Sequence, residues 1–175
     1  SLCNNGKLAR TSQTPGKTRL INYFLINRAF YLVDLPGYGF AKTGKTERDA
    51  WGELIGAYLS SGRPRHLFIL LDIRHAPSED DRQMFRWVLY YGVPFTLIAT
   101  KSDKLSRSAR AVSAKKAAKQ LGAPPFAIPF SGESGEGRDE VLKRLGQIVL
   151  DAATLPQTHS LAENPPETAD GEGRA

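Results

Sequence analysis

Apolar segments with the character of strands alternate with segments of helical spacing along most of the chain. Five apolar segments predict strands, at 20–26, 30–33, 67–73, 95–99 and 126–130. Apolar residues at helical spacing predict helices over 47–60, from Ser78 to Gly92, over 106–121 and after Gly137. The 67–73 segment is largely apolar, as in strands covered on both faces of a parallel sheet. This order predicts an α/β domain whose sheet is mainly parallel and flanked by helices.

The composition changes near the C-terminus. Residues 155–175 are rich in Pro, Glu, Thr, Asp and Gly and hold few apolar side chains. So few apolar groups cannot offset the entropy lost when a chain becomes ordered. We therefore predict one domain over 1–154 and an acidic, disordered tail over 155–175.

Charge is distributed unevenly between these two parts. The whole chain has a net charge of +6, of which residues 156–175 contribute −3 and the rest +9. A basic body with an acidic tail indicates an anionic partner, with nucleic acid first among the candidates. A solvated basic surface without a partner explains the same numbers equally well.

Several classes of site are excluded by composition. Cys3 is the only cysteine, which rules out a disulfide within the chain and fits a reducing compartment. One cysteine and three scattered histidines form no zinc cluster. The aliphatic run at 67–71 is too short to cross a bilayer, and no signal peptide is visible at the N-terminus. We expect a cytoplasmic protein without a membrane partner.

Polar clusters follow three of the predicted strands, at the end where parallel sheets bind ligands. The first comes directly after the 30–33 strand and consists of Asp34, Leu35, Pro36 and Gly37. An acid at a strand tip can hold a hydrated magnesium ion. A glycine lets a phosphate approach its backbone N–H, because no Cβ stands in the way. The alternative is a plain Pro-Gly turn.

The second cluster follows the 95–99 strand and consists of Thr100, Lys101, Ser102 and Asp103. It resembles the guanine-specificity motif of GTP-binding proteins, Asn-Lys-x-Asp, with Thr100 in the place of Asn. Asp103 would accept hydrogen bonds from guanine N1–H and the 2-amino group, two donors that adenine lacks. The stem of Lys101 would cover one face of the base. The alternative is a solvated loop that starts a helix, with Asp103 or Ser106 as its cap.

Two further segments carry less information on their own. Phe130, Ser131 and Gly132 follow the 126–130 strand, where GTP-binding proteins use backbone N–H groups to contact guanine O6. A second segment with turn-forming residues contains Gly16, Lys17 and Thr18. Each is also compatible with an ordinary turn. The order of all four segments, with three of them after apolar strands, matches the series of motifs found in GTPases.

The details resemble the EngB family of bacterial and organellar GTPases. The resemblance rests on Asp-Leu-Pro-Gly-Tyr-Gly at 34–39, on Thr100 in place of Asn, on Phe130-Ser131 and on the 14–18 segment. It implies the P-loop GTPase fold, GTP and GDP as ligands of all four segments, a monomer, and magnesium (Mg2+) held by Thr18 and Asp34. It also implies a switch in assembly of the large ribosomal subunit, in contact with ribosomal RNA and needed for normal cell division and septation. GTP hydrolysis would be slow, since Tyr38 stands where many GTPases carry a water-positioning Gln.

The sequence departs from the family pattern in its phosphate loop. No Gly-x-x-x-x-Gly-Lys-Ser sequence occurs in residues 1–175, although residues 39–46, after the Asp34–Gly37 cluster, match the form of this pattern that ends in Thr. We expect that Ser1 is not a natural start. We therefore expect residues 1–154 to form an incomplete G domain that lacks the first strand and the phosphate loop and binds nucleotide poorly. The missing strand would be central, so its neighbours would have unpaired edges. The alternative functions are a nucleotide-independent RNA- or ribosome-binding fragment and an inactive, incomplete gene product. In the third cluster, Phe130 and Ser131 match the first two residues of the family's Phe-Ser-Ser loop. Gly132 stands in the place of the second Ser.

Overall fold

Strands and helices alternate in the computed structural model, which describes residues 20–37 and 45–154. In chain order the elements are β1 (Asn22–Ile26), β2 (Phe30–Asp34), α1 (Lys45–Ser60), β3 (Leu67–Asp72), α2 (Glu79–Tyr90), β4 (Phe95–Thr100), α3 (Arg107–Leu121), β5 (Ile128–Pro129) and α4 (Arg138–Thr154). A short 3-10 helix, Ser102–Lys104, lies between β4 and α3. All the helices and strands predicted from the sequence are present, with boundaries shifted by a few residues.

The strands β3, β4 and β5 form a parallel sheet with β4 in the centre. One face of this sheet packs with α1, α2 and α3 into the main core, where Ile55 and Val88 are fully buried. On the other face, Val141 of α4 packs against Ile98 and Ile128. The prediction of a parallel sheet flanked by helices is confirmed, and the carboxyl ends of its strands meet along one edge.

The strands β1 and β2 form a separate antiparallel hairpin in which Tyr23 lies opposite Val33. Its turn holds Asn27 and Arg28 in the left-handed conformation, with φ of 49° and 55°. Two such residues in a row make the turn geometry that matches the twist of a hairpin. Among the described residues no strand ladder joins this hairpin to β3.

The strand β5 is shorter than the apolar segment 126–130 predicted. Phe126 is exposed and takes no part in the ladder. Pairing is confined to Ile128 opposite Ile98 and Pro129 opposite Ala99. The short strand nevertheless brings the segment after it to the carboxyl end of β4.

Some predictions fall outside the described residues. They concern the 14–18 segment, the loop after Gly37 that contains Tyr38, and the tail over 155–175. Within the described part of the chain, the helices are too short or too polar to cross a bilayer.

Candidate functional site

The segments after β4 and β5 are joined by backbone hydrogen bonds. The Phe130 N–H donates to the Ala99 carbonyl at 2.8 Å, and the Ser102 N–H donates to the Phe130 carbonyl at 3.1 Å. These bonds continue the ladder between the two strands past its end. The clusters at 100–103 and 130–132 therefore lie side by side at one edge of the sheet, as expected from their positions after parallel strands.

Thr100 and Lys101 are anchored to β3. The Thr100 hydroxyl donates to the Leu71 carbonyl at 3.0 Å. Lys101 has a left-handed backbone with φ of 60°, which is uncommon for a residue with a side chain, and its ammonium lies 2.9 Å from the Asp72 carboxylate. Hydrogen bonds from Arg74 first, and then from Lys101, hold the pKa of Asp72 well below its usual range. This contact holds the end of the Lys101 side chain at β3.

Asp103 is held on both oxygens. The Ser131 hydroxyl donates to Oδ1 at 2.6 Å, and the Lys104 ammonium lies 2.9 Å from Oδ2. These contacts, with the Ser131 hydrogen bond first, lower the pKa of Asp103 to about 2, so the group is ionised at neutral pH. An ionised carboxylate can accept about four hydrogen bonds. Each oxygen therefore keeps the capacity to accept one bond from a ligand.

The hydroxyl of Ser131 organises the loop that follows it. Ser131 is fully buried, and its Oγ accepts hydrogen bonds from the backbone N–H groups of Glu133 and Ser134 at 3.1 and 3.0 Å. The same hydroxyl donates to Asp103, so its hydrogen-bonding capacity is used in full. Gly132 is exposed, and its N–H has no acceptor among the residues that the structure describes.

Ser102 is also fully buried, and it faces Glu136 rather than solvent. Its hydroxyl donates to Glu136 Oε2 at 2.5 Å. The other oxygen of this carboxylate, Oε1, lies 2.9 Å from Arg110 Nη1. The Glu136 carbonyl accepts a hydrogen bond from the Ser131 N–H at 3.0 Å. Ser102 thus belongs to the site as a support of the loop, through Glu136.

A glycine is required where this loop enters α4. Gly137 has φ of +73°, a region that residues with a Cβ rarely adopt. A Cβ at this position would lie 2.0 Å from the Pro129 carbonyl oxygen, which is closer than any real contact. The loop therefore packs directly on the backbone of β5, and this packing holds Ser131 and Glu136 near Asp103.

The Asp34–Gly37 cluster lies at the end of β2, in the hairpin. Leu35 packs against the main core, and the Trp51 indole N–H of α1 donates to the Pro36 carbonyl at 2.8 Å. Asp34 and Gly37 are exposed. Among the described residues no hydrogen bond or ion pair joins this cluster to the 100–103 segment.

The proposed magnesium ligands are described only in part. Gly16, Lys17 and Thr18 lie outside the described residues. Asp34 forms no ion pair among the residues described, so its oxygens are free to meet a metal or a metal-bound water. A single carboxylate fits magnesium, which is usually held by one or two carboxylates together with phosphates and waters. The described part of the chain contains no cluster of three or more metal-ligating side chains.

Comparison with known proteins gives consistent matches. The family model described as "50S ribosome-binding GTPase" matches residues 1–101. The "Probable GTP-binding protein EngB" of Clostridium perfringens is 47% identical over 148 residues, covering 83% of this chain and 75% of the relative. The protein of the same name from Fusobacterium nucleatum is 48% identical over 150 residues, covering 81% and 74%. This chain belongs to the EngB family.

A solved structure titled "Crystal structure of a probable GTP-binding protein engB" shares the fold of this EngB chain. The TM-score is 0.63 at 15% identity, covering 76% of this chain and 85% of the other. The fold class expected from the sequence, the P-loop GTPase fold, is confirmed by this match and by the family model.

Two residues of the candidate site, Asp72 and Glu136, were not predicted from the sequence. Asp72 is the last residue of β3, as Asp34 is of β2, so a search for acids at strand ends could have found it. Glu136 gives no comparable signal, because it lies between two glycines of a loop and its partner Ser102 is 34 residues away. Only the structure brings them together.

Proposed function

We propose that this chain binds GTP and GDP by recognising guanine at the joined ends of β4 and β5. The observation that carries the proposal is the hydrogen bond from Ser131 to Asp103, which holds an ionised, partly available carboxylate at that edge. Guanine N1–H and its 2-amino group would donate to the two oxygens of Asp103. Adenine has no donor at either position, so binding it would desolvate the carboxylate without compensation.

Two further contacts to the base follow from the same geometry. The stem of Lys101, anchored through its ammonium on Asp72, would cover one face of the ring. The exposed N–H of Gly132 would donate to guanine O6. Adenine has an amino group at this position, which cannot accept that bond. The first contact is tolerant of any base, whereas the second adds to the preference for guanine.

The phosphates and Mg2+ would be held by the other clusters. Magnesium bound there would neutralise phosphate charge, with Thr18 and Asp34 as its protein ligands. Gly37 would offer its backbone N–H to the terminal phosphate, and Gly16 and Lys17 would contact the phosphates from the segment before Thr18. The exposure of Asp34 and Gly37 supports this assignment.

The proposal is tested by titrating fluorescent GDP and ADP in the presence of magnesium. Two proteins are compared: the 175-residue chain, and the same chain preceded by the phosphate-loop segment of an EngB relative, called here the extended chain. We expect the extended chain to bind GDP far more tightly than ADP, and the 175-residue chain to bind both weakly. Equal affinity of the extended chain for GDP and ADP would refute guanine recognition. Tight GDP binding by the 175-residue chain would refute the expectation of a weak phosphate site.

We also propose that the chain acts in assembly of the large ribosomal subunit through contact with ribosomal RNA, and in this way supports cell division. Lys115, Lys116 and Lys119 of α3 are exposed and form no ion pair among the described residues. Lys116 borders a cavity of about 140 Å³ that is also lined by Arg74 and His75. Such cations can bind the phosphates of RNA.

Binding of large-subunit RNA is measured at several salt concentrations, with and without guanine nucleotide. Replacing Lys115, Lys116 and Lys119 with Ala should lower the salt dependence by about one unit of slope per lost phosphate contact. Lys143→Ala, an exposed cation on α4, is the control and should change little. If the RNA affinity of the extended chain is the same with and without guanine nucleotide, the alternative of a nucleotide-independent RNA-binding fragment is favoured.

A further inference from the structure

Glu136 contacts the candidate guanine site at two points that are distant in sequence. Its carboxylate accepts a hydrogen bond from Ser102, the residue before Asp103, at 2.5 Å. Its backbone carbonyl accepts a hydrogen bond from the N–H of Ser131, the residue that donates to Asp103, at 3.0 Å. One residue therefore holds both the chain next to Asp103 and the hydroxyl that orients the Asp103 carboxylate.

Both of the residues that Glu136 holds are fully buried. Ser102 and Ser131 are each 0% exposed. A buried hydroxyl without an acceptor costs more than an ordinary hydrogen bond contributes, because water cannot take the place of the lost partner. The Ser102 hydroxyl consequently fixes the position of Glu136, and Glu136 in turn fixes the backbone at Ser102.

Arg110 of α3 completes this arrangement. Its Nη1 lies 2.9 Å from Glu136 Oε1, and its Nε donates to the Leu105 carbonyl at 3.0 Å. The hydrogen bond from Ser102 and the contact with Arg110 lower the pKa of Glu136 below its usual value. The carboxylate stays ionised at neutral pH and links the loop after β5 to the beginning of α3.

We infer that Glu136 is a positioning residue for guanine selectivity, and this inference rests on the proposed recognition of guanine by Asp103. Two simultaneous hydrogen bonds, to N1–H and to the 2-amino group, require both oxygens of Asp103 to lie in the plane of the base. A small rotation of Asp103 lengthens one of these bonds before it breaks the other. Loss of the Glu136 contacts should therefore reduce the contribution of the 2-amino group more than it reduces nucleotide binding as a whole.

The test compares GDP with inosine diphosphate, which has N1–H but lacks the 2-amino group. Glu136→Gln is the variant, because it removes the charge while keeping the size of the side chain. Glu140→Gln is the matched control, since Glu140 is an exposed carboxylate in the first turn of α4. Affinities for both nucleotides are measured in the extended chain, with circular dichroism and melting temperature as controls for folding.

We expect Glu136→Gln to lower the ratio of GDP to inosine diphosphate affinity by about fivefold, the effect of weakening one hydrogen bond, while Glu140→Gln leaves the ratio unchanged. Ser102→Ala should lower the ratio similarly, and the double variant should lower it no further, because the two residues act through one contact. Amide exchange at Ser131, Glu133 and Ser134 should be faster in Glu136→Gln.

An unchanged ratio in Glu136→Gln, or an equal loss of both nucleotides together with a lower melting temperature, would overturn the positioning role and leave guanine recognition standing. If the unsubstituted extended chain shows no preference for GDP over inosine diphosphate, the proposed guanine recognition itself fails, and the inference fails with it.

Discussion

Ser131 donates its buried hydroxyl to the Asp103 carboxylate across 2.6 Å, although the two residues are 28 positions apart in the chain. The bond exists because β4 and β5 are parallel neighbours, so the segments that follow them emerge at the same edge of the sheet. Together with the Lys104 ammonium on Oδ2, it orients the Asp103 carboxylate. Guanine recognition, as proposed here, depends on that orientation.

Removing the Ser131 hydroxyl should weaken guanine nucleotide binding. Ser131→Ala deletes the donor to Asp103 and leaves the N–H groups of Glu133 and Ser134 without their acceptor. We expect GDP affinity of the extended chain to fall about tenfold, corresponding to one or two lost hydrogen bonds. Titration with fluorescent GDP measures this. Ser134→Ala is the control, because the Ser134 hydroxyl accepts only one long hydrogen bond, from the Glu136 N–H at 3.4 Å. The GDP affinity of this control should be nearly unchanged.

Substitution of two glycines should change stability in opposite directions. Gly137→Ala places a methyl group against the Pro129 carbonyl at a left-handed backbone position, so we expect a loss of at least about 1–3 kcal/mol in the free energy of unfolding. Gly146 lies within α4 with open space around it, and Gly146→Ala should stabilise the protein by up to about 1 kcal/mol. Urea unfolding of both variants measures the difference. Equal stability of the two would contradict the close approach of the loop to β5.

Stability should fall as the pH drops below about 6.5, because of His66. Burial, and secondly the charge of Arg144, lower the pKa of His66 to about 4. Its Nε2 lies 2.8 Å from the Thr96 hydroxyl, which also accepts from Arg144 at 3.3 Å. His66 is therefore neutral at neutral pH, and its tautomer decides whether its Nε2 or the Thr96 hydroxyl is the donor in this bond. Between pH 6.5 and 4 the unfolded chain binds the proton more readily than the folded one, so stability rises with pH across that window.

Urea unfolding between pH 7.5 and 5 measures this effect before most carboxylates titrate. In the unsubstituted chain we expect a progressive loss of stability towards pH 5. His66→Gln keeps an acceptor for Thr96 but does not titrate, and its stability should be nearly independent of pH over the same range. Parallel pH profiles for the two proteins would show that His66 is not the cause.

The contact between Trp51 and Pro36 should stabilise the segment that carries Asp34. Trp51→Phe removes the indole donor to the Pro36 carbonyl but retains an aromatic ring next to Trp87, on which Trp51 stacks at 5.5 Å. We expect a loss of about 1 kcal/mol in stability and faster amide exchange at Leu35 and Gly37. Unchanged exchange in that segment would mean that α1 does not hold it.

Much of the fold could be predicted because local chemistry decides it. Ser78 followed by three acids predicted a helix start, and its hydroxyl accepts from the Asp81 N–H while the Asp81 carboxylate accepts from the Ser78 N–H. The apolar run of β3 likewise predicted a strand, although the expected cover on both faces is wrong at Leu70, which is exposed. The length of β5 could not be predicted from apolar residues, since Phe126 is apolar but exposed and lies outside the ladder.

The site could be predicted less completely than the fold. The positions of Asp103 and Ser131 after apolar strands indicated that they meet, and they do. The roles of Ser102 and Glu136 depend on which way a side chain points, and the sequence carries no local signal for that. The left-handed backbone of Lys101 was equally unpredictable, because no glycine or asparagine marks the position.

Changing the base preference of Asp103 is the most direct test of guanine recognition at this edge of the sheet. Asp103→Asn in the extended chain replaces one acceptor with an amide donor, which suits xanthine, because xanthine has a carbonyl where guanine has its 2-amino group. We expect this variant to lose most of its GDP affinity and to gain affinity for xanthosine diphosphate, while its fold by circular dichroism is unchanged. If Asp103→Asn binds GDP as tightly as the unsubstituted chain and does not gain affinity for xanthosine diphosphate, Asp103 does not read the base, and guanine recognition at this edge of the sheet is refuted.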